Sequence, residues 1–196
     1  MLGAYSQTIF TRRIPVALPS PFIKAMHPKS EIRPRPESIQ RILAKGWVAQ
    51  LKIHGHRVQL HVPADNSLPV IAYTRQGKLH GKPLTPNMIS EIRRVFAPDE
   101  GWNILDAEWL KPEGMIYVFD FLKKDGEILR RKTFPERWKL LPRAYLSPHL
   151  KTLPLITDLP GCLAALAKPE VFIEGLVFKA SATPGFSDTS IVRCRK

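Results

Sequence analysis

The sequence predicts an α+β fold built on antiparallel sheets. Three observations support this prediction: apolar segments of strand length, short turns between them that contain glycine or proline, and a few helices with clear start signals. The segments do not follow the strand–helix–strand rhythm that is typical of a parallel sheet. We therefore expect hairpins with helices packed against them.

The predicted strands include two hairpins. A turn at 54–55 joins the first two strands, and a turn at 111–114 joins the fourth and fifth. In the second strand Val58, Leu60 and Val62 share one face, because side chains alternate across a strand. The predicted strands cover residues 48–53, 57–62, 70–74, 103–110, 115–121, 171–178 and 190–195.

Local signals mark where the predicted helices begin and end. Gly46 ends the first helix, and Thr85 supplies a capping hydroxyl before a proline at the start of the second. Thr133 and Glu136 have the spacing of a capping box at the start of the third. The predicted helices cover residues 37–45, 86–96, 134–141 and 159–167.

The composition indicates a globular, strongly basic protein. Its 196 residues suggest one domain, and a hydrophobic content of 44% is sufficient to fill a core. Lysine and arginine number 30 against 17 acidic residues, which gives a formal charge of +13. An excess of this size favours a polyanionic partner such as nucleic acid, although solubility alone is an alternative explanation.

Cysteine content and hydropathy favour a cytoplasmic or nucleoid-associated protein. The two cysteines, Cys162 and Cys194, do not form a disulfide framework, and no signal peptide is recognisable. No apolar run approaches the roughly 20 residues that a membrane-spanning helix needs. We therefore expect no membrane partner.

A proline-rich basic segment precedes the predicted domain. We assign residues 1–35 to this lead-in and 36–196 to the domain. Its prolines restrict the backbone and remove hydrogen-bond donors, so the lead-in is expected to be stiff and irregular. Its basic residues either contact phosphates or are simply solvated; they are Lys24, Lys29, Arg33 and Arg35.

Lys52 is the candidate nucleophile. It ends an apolar strand and precedes a glycine turn and Arg57. An attacking lysine must be neutral, although its ordinary pKa is about 10.4; partial burial and nearby cations lower that value. Taken alone, the pattern is more typical of an ordinary lysine at a strand end.

Three carboxylates are candidates for binding a metal or a polar ligand. Asp106 and Glu108 share one strand face beside apolar residues, where carboxylates are costly unless they have partners. The alternative is a solvated strand face. Glu174 lies within an apolar strand and requires a partner such as Mg²⁺ or a cationic side chain.

Other residues complete the candidate site. Arg193 and Arg195 share a strand face and form a basic pair suited to phosphates, or else a basic tail. Phe119 either stacks on a base or belongs to the core. Lys179 has odd parity relative to Glu174, so we expect it to point away from the site.

Taken in order, these segments resemble the covalent nucleotidyltransferase superfamily, which comprises ATP-dependent DNA ligases, RNA ligases and mRNA capping enzymes. The resemblance covers about residues 36–196. Its first motif, Lys-x-Asp-Gly-x-Arg, is matched except that histidine replaces aspartate at position 54. The matching segments are Lys52–Arg57, Arg75, Asp106–Glu108, Tyr117–Asp120, Glu174–Gly175 and Ile191–Arg195.

The resemblance implies an antiparallel-sheet nucleotidyltransferase domain of the ATP-grasp-like ligase type. Lys52 would attack the α-phosphate of ATP and hold AMP covalently. Gln50 stands where DNA ligases have a glutamate that reads the adenine amino group, and the neighbouring Leu51 would also contact the nucleotide. Phe119 would stack on the adenine, and Glu108 would hold the ribose.

The resemblance also assigns the phosphate and metal ligands. Arg57 and Arg75 would contact the ribose, the phosphate or the 5′-phosphate of the nucleic acid. Arg193 and Arg195 stand where lysines are usual, near the α-phosphate. The implied cofactors are ATP and Mg²⁺ or Mn²⁺, with Glu174 and Asp106 as metal ligands.

The implied function is sealing of 5′-phosphate/3′-hydroxyl nicks, with nicked duplex DNA as the expected partner. Segment 119–137 is more similar to DNA ligases, whereas His54 is similar to some RNA ligases that seal nicked duplexes. Family members usually continue into an OB-fold domain, but this sequence ends at Lys196. We therefore expect a minimal, monomeric enzyme, a partner that supplies a clamp, or a shortened form of a longer chain.

Two alternatives remain open. One is another enzyme of the superfamily, either an RNA ligase of the Lys-x-His-Gly type or a GTP-using capping enzyme. The other is a degenerate domain that only binds nucleic acid. The second alternative is supported by the departures from the motifs, which are His54, Ala107, Arg193 and Arg195.

Overall fold

The protein contains two mostly antiparallel sheets and four α-helices within the residues that its structure, a computed structural model, describes, namely 20–143 and 147–196. The first sheet has the order β1-β10-β9-β2, and the second has the order β4-β3-β5-β6-β7, with β8 added alongside β6. The strands are β1 (Ser30–Glu31), β2 (Trp47–Ile53), β3 (His56–Pro63), β4 (Ile71–Thr74), β5 (Trp102–Leu110), β6 (Met115–Lys124), β7 (Glu127–Ile128), β8 (Leu150–Thr152), β9 (Ile173–Ala180) and β10 (Ile191–Arg195).

The helices lie between the strands without forming βαβ units. The predicted α+β class is confirmed, and only the short pairings of β1 with β10 and of β8 with β6 are parallel. No helix in the described ranges is long and apolar enough to cross a bilayer. The helices are α1 (Pro36–Leu43), α2 (Pro86–Phe96), α3 (Phe134–Trp138) and α4 (Leu159–Leu166).

All seven predicted strands and all four predicted helices are present, with shifted ends. The strand β9 begins at Ile173 rather than 171, because the two preceding residues form a turn that leaves Val171 96% exposed. The strand β6 extends to Lys124, since the turn into β7 needs only Asp125 and Gly126, which both have positive φ. The strands β1, β7 and β8 were missed because two or three residues carry no periodicity.

Each sheet has its own core. The face of β3 predicted from Val58, Leu60 and Val62 is fully buried and packs with the apolar side of α2. The first sheet instead packs against α1 and α4, where both cysteines are buried free thiols. The two cores leave the facing polar side chains of β2, β9, β10, β3, β5 and β6 to line a shared cavity.

The lead-in packs against the second sheet and supplies a strand to the first. Pro15 and Pro19 lie outside the described residues, whereas the segment from Ser20 onward is irregular but tightly attached. Ile23 is buried; its N–H donates to Gln59 Oε1 (2.9 Å), and its carbonyl accepts from Gln59 Nε2 (2.8 Å). The chain then reaches β1, which pairs with β10.

A β-bulge interrupts the pairing of β2 with β9 beside the candidate nucleophile. Lys52 is paired with Gly175, but Ile53 is paired with Ile173, so Glu174 is the extra residue. Gly175 has φ of 145°, and a Cβ placed there would lie 2.1 Å from the carbonyl oxygen of Cys194. Only glycine fits this position, because β10 passes directly against its backbone.

The substitution Gly175→Ala is expected to destabilise the protein by about 2 kcal/mol or more, because it combines an unfavourable φ with a backbone clash. Thermal or urea unfolding measures the effect. Gly81→Ala is the matched control, since a Cβ there meets nothing within 4 Å. Equal stability of the two variants would contradict the bulge geometry.

Candidate active site

The two sheets enclose a cavity of about 620 Å³. All eleven residues proposed from the sequence line it, although they come from six different strands and one loop. Their roles stay predictions, but their proximity is a property of the fold. These residues are Gln50, Leu51, Lys52, Arg57, Arg75, Asp106, Glu108, Phe119, Glu174, Arg193 and Arg195.

Lys52 is held by a carboxylate from the neighbouring strand. Its ammonium forms an ion pair with one oxygen of Glu174, and Nδ1 of His54 contacts the other oxygen. Although burial raises the pKa of Glu174, the hydrogen bonds from Lys52 and His54 bring it below its usual range. His54, the position at which the sequence departs from the motif that it resembles, therefore joins Lys52 and Glu174 in one cluster.

Arg57 is fixed by a buried carboxylate. Its Nε donates to Oδ1 of Asp106 (2.8 Å), and its Nη2 contacts Oδ2. Its Nη1 donates to the carbonyl of Met26 (2.6 Å), so the lead-in also restrains it. A buried carboxylate requires a partner. For Asp106 that partner is Arg57, which belongs to the same site.

Glu108 packs against the turn that follows the nucleophile. Its Oε1 accepts a hydrogen bond from the backbone N–H of Gly55 (3.1 Å). Burial raises the pKa of Glu108 to about 7, against the opposing effect of Arg57 and Lys52. Glycine is required in this turn because a Cβ on Gly55 would lie 2.8 Å from the carbonyl oxygen of Trp109.

Gln50 lies at the closed end of the cavity with a fixed amide orientation. Its Nε2 donates to the carbonyls of Phe119 (3.3 Å) and Leu153 (3.1 Å). Its Oε1 accepts from the ammonium of Lys179 (3.0 Å). Because both amide hydrogens are committed to the backbone, the side-chain oxygen is the atom left to meet a base.

The prediction that Lys179 points away from the site was wrong. The alternation of side chains was counted through residue 175, where the bulge resets it, so Glu174 and Lys179 both line the cavity. The ammonium of Lys179 lies 4.8 Å from the centre of the Phe119 ring. Burial lowers its pKa to about 8, against the opposing effect of Asp120 and Asp106. A lysine in the middle of an apolar strand was a sequence signal for a buried cation.

Arg193 and Arg195 share one face of β10, as predicted, and both contact a carboxylate that sequence reasoning missed. Glu31 accepts from Arg193 Nε (2.8 Å) and from Arg195 Nε (2.9 Å) and Nη2 (2.8 Å). The hydrogen bonds from Arg195 and Arg193 lower the pKa of Glu31 to about 2. No sequence signal marks Glu31, because its position depends on the parallel pairing of β1 with β10.

Arg75 is exposed at the opposite side of the cavity and lies near a histidine of the lead-in. Its Nη1 is 3.2 Å from Nε2 of His27. Burial, followed by the charge of Arg75, lowers the pKa of His27. Met26, His27 and Pro28 all line the cavity, so the lead-in forms part of its wall.

The two predicted metal ligands are occupied by cationic groups. Asp106 is bound by Arg57, and Glu174 is bound by Lys52 and His54. Among the described residues, no group of three or more histidine, cysteine, aspartate or glutamate side chains is arranged to hold a metal ion. A metal here would therefore need additional ligands from a bound molecule.

Comparisons with known proteins identify the fold. No protein-family model matches the sequence, and no curated protein matches it. Solved structures do match. The mycobacterial DNA ligase D complexed with ATP and MES has a TM-score of 0.54 at 19% identity over 76% of this chain and 54% of its own.

Two further structures give the same result. The ligase domain from M. tuberculosis LigD has a TM-score of 0.51 at 20% identity, with 74% of this chain and 52% of its own covered. The protein named Pmar-Lig_PreS3 has a TM-score of 0.56 at 15% identity, with 85% of this chain and 46% of its own covered. This chain has the fold of these ligase domains. It spans about half the length of the solved structures that it matches.

Stability near neutral pH is expected to depend on Glu108. Because the folded-state pKa of Glu108 is raised to about 7, the folded protein binds a proton that the unfolded chain loses above its ordinary pKa of 4.5. Stability from this group therefore falls as pH rises from 5 to 8, by up to about 3 kcal/mol. Glu108→Gln is expected to remove this dependence.

Urea unfolding at pH 5 and pH 8 measures how much stability the wild type and the variant each lose between the two pH values. Comparing the two losses cancels the contributions of the histidines, because both proteins contain the same histidines. Glu113→Gln, at an exposed position, is the matched control. A Glu108→Gln protein that loses as much stability between the two pH values as the wild type would rule out the raised pKa.

Proposed function

We propose that this chain is an ATP-dependent polynucleotide ligase that acts on DNA through a lysyl-AMP intermediate. The observation that carries the proposal is the convergence, in one cavity, of Lys52 with a base-stacking candidate, Phe119, and with the arginine pair on β10. A nucleotide extended between Phe119 and the arginines would present its phosphates to the amine. The likeness to DNA-ligase folds supports this orientation, and the structure of mycobacterial DNA ligase D complexed with ATP supports the choice of nucleotide.

The proposed reaction has three displacements at phosphorus. The neutral amine of Lys52 attacks the α-phosphorus of ATP, a nitrogen–phosphorus bond forms, and pyrophosphate leaves. The 5′-phosphate oxygen of the nucleic acid then displaces the lysine and takes the AMP. Finally, the 3′-hydroxyl attacks that 5′-phosphate, a phosphodiester forms, and AMP leaves.

The contacts of the site support a catalytic strategy based on positioning and charge. Arg193 and Arg195 would stabilise negative charge as it develops around the α-phosphate. Before the amine can attack, the ion pair between Lys52 and Glu174 must separate and the ammonium must lose a proton to water. Entry of a phosphate group, which attracts Lys52 and repels Glu174, would promote the separation.

The base end of the cavity favours adenine over guanine. The lone pair of Gln50 Oε1 that does not accept from Lys179 can accept a hydrogen bond from an exocyclic amino group, whereas it would repel a carbonyl oxygen at the same place. This property argues against the capping-type alternative, which uses GTP.

The residues present fit Mg²⁺ as part of a nucleotide complex. Mg²⁺ is usually held by one or two carboxylates together with substrate phosphates. Glu174 is 25% exposed and lines the cavity, so it would be the protein ligand, whereas Asp106 is buried and committed to Arg57. The ion would neutralise phosphate charge.

DNA is the preferred substrate class because the neighbouring folds are named as DNA ligases, and because a charge of +13 suits a duplex backbone. RNA remains the alternative that His54 suggests. Nicked DNA, nicked RNA and hybrid duplexes offered to the adenylated protein would separate these substrates.

Incubation with α-labelled ATP and Mg²⁺, without nucleic acid, is expected to give an AMP-sized covalent adduct that is visible on a denaturing gel and by intact mass. The adduct should be lost in Lys52→Ala and should be at least about tenfold stronger with ATP than with GTP, because one unpaired polar contact costs 1–3 kcal/mol. Lys45→Ala is the matched control, at the other end of β2 from Lys52.

A Lys52→Ala protein that is still labelled would contradict the assigned nucleophile. A folded wild-type protein that is never labelled would contradict the ligase proposal and leave the nucleic-acid-binding module as the explanation.

A further inference from the structure

A second cationic cluster lies at the mouth of the cavity, beyond the turn that follows Lys52. We define this rim cluster as His56, His80, Lys82, Trp109 and Lys111. Three of its members, His56, His80 and Lys111, also line the cavity. None of the five belongs to the residues predicted from the sequence.

Two lysines of the rim cluster converge on one ring. The ammonium groups of Lys82 and Lys111 each lie 5.8 Å from the centre of the Trp109 ring, and Lys82 Nζ donates to the carbonyl of Lys111 (3.2 Å). Both ammonium groups therefore lie against one aromatic ring, and like charges gathered on one ring repel each other unless an anion neutralises them.

The histidines add polar ring atoms to the mouth of the cavity. The ring of His80 packs on Trp109 at 5.1 Å and beside His56 at 6.3 Å. Nδ1 of His80 and Nε1 of Trp109 are buried without a hydrogen-bond partner in the described part of the chain. Buried polar atoms of this kind usually have a partner, so the cluster has unused capacity to bind a polar ligand.

The backbone that carries the cluster belongs to the second sheet. Trp109 lies on β5 and is paired with His56 on β3, and Lys111 follows directly in the β5–β6 turn. His80 lies on the segment that returns from β4, where its N–H donates to the carbonyl of Ala72 (2.9 Å). The charges are therefore presented by ordered backbone rather than by a free tail.

We propose that Lys82 and Lys111 form a binding site for a backbone phosphate of the DNA strand, separate from the nucleotide-phosphate site at Arg193 and Arg195. This inference rests on the proposed ligase function, because it needs a polynucleotide at the cavity mouth. The 5′-terminal phosphate has to reach the AMP on Lys52 inside the cavity. A neighbouring phosphodiester of the same strand would then pass over the turn that joins β2 to β3 and meet the rim cluster.

The test is the salt dependence of binding to a nicked duplex. Each lysine that neutralises a phosphate contributes about 0.9 to the slope of log affinity against log salt. Lys82→Ala and Lys111→Ala are each expected to reduce the slope by about one unit and the double variant by about two. Lys45→Ala, which removes the same charge from an exposed position outside the cavity lining, should leave the slope unchanged.

A charge-retaining variant separates phosphate binding from packing on Trp109. The double substitution Lys82→Arg with Lys111→Arg is expected to keep the wild-type slope. If it behaves like the double alanine variant, the lysines act through packing and the proposal is overturned. A double alanine slope equal to that of Lys45→Ala also overturns it.

The source of the phosphate is tested with two nicked duplexes, one with a 5′-phosphate and one with a 5′-hydroxyl at the nick. The double alanine variant should lose the same amount of salt slope with both duplexes. A loss seen only with the 5′-phosphate duplex would overturn the assignment to a backbone phosphate. Labelling of the wild type by ATP is measured separately. If ATP does not label the wild type but the alanine variants still reduce the salt slope, the ligase proposal is wrong and the phosphate site is still supported.

Discussion

Charge compensation is the interaction on which this site depends. A cavity that binds phosphates must collect cations, and collected cations repel each other in a partly desolvated space. Here three cationic elements each have a carboxylate from another part of the chain: Asp106 for Arg57, Glu174 for Lys52, and Glu31 for the arginine pair of β10. The carboxylates allow the cations to remain close before a substrate arrives.

A buried cation is also paired with a carboxylate beneath the cavity. Arg137 is fully buried in α3, and its guanidinium donates to both oxygens of Asp120 on β6, at 2.9 and 2.8 Å. It also donates to the carbonyls of Lys132 and Gly185, which attaches the loop before β10 to the second sheet. This pair supports the cavity floor, because Asp120 itself contributes to the lining.

Backbone irregularity, rather than strand alternation, brings Lys52, the candidate nucleophile, together with Glu174. In a regular strand Glu174 and Lys179 would face opposite sides of the sheet. The bulge at Gly175 lets both face the cavity, and the close passage of β10 over Gly175 is the reason that no side chain is tolerated there. The site therefore depends on one glycine that carries no chemistry.

The sequence predicts the fold class and the lining residues because both follow from local patterns. Strands such as β3 and β6 have clear alternation or long apolar runs, and Lys52, Phe119 and Glu174 stand within recognisable segments. Glu31 and His27 could not be found in this way, because they reach the site through pairings that are distant in sequence. Lys179 was misplaced for a different reason, since periodicity cannot reveal a bulge.

The compensating carboxylates differ in burial, and this difference divides them into two sets. We call permanent those that keep their cation when substrate binds, and exchangeable those that a phosphate can replace. Removing Asp106 from Arg57 would leave a buried charge without a partner, which typically costs 3–5 kcal/mol, so this pair is expected to persist when substrate binds. Glu174 and Glu31 are about a quarter and a third exposed, and ion pairs at such positions contribute little. A phosphate can therefore replace them at small cost. The exchangeable set surrounds Lys52 and the β10 arginines, where the proposed reaction changes its charge, and the permanent set surrounds Arg57, where a fixed geometry is needed throughout.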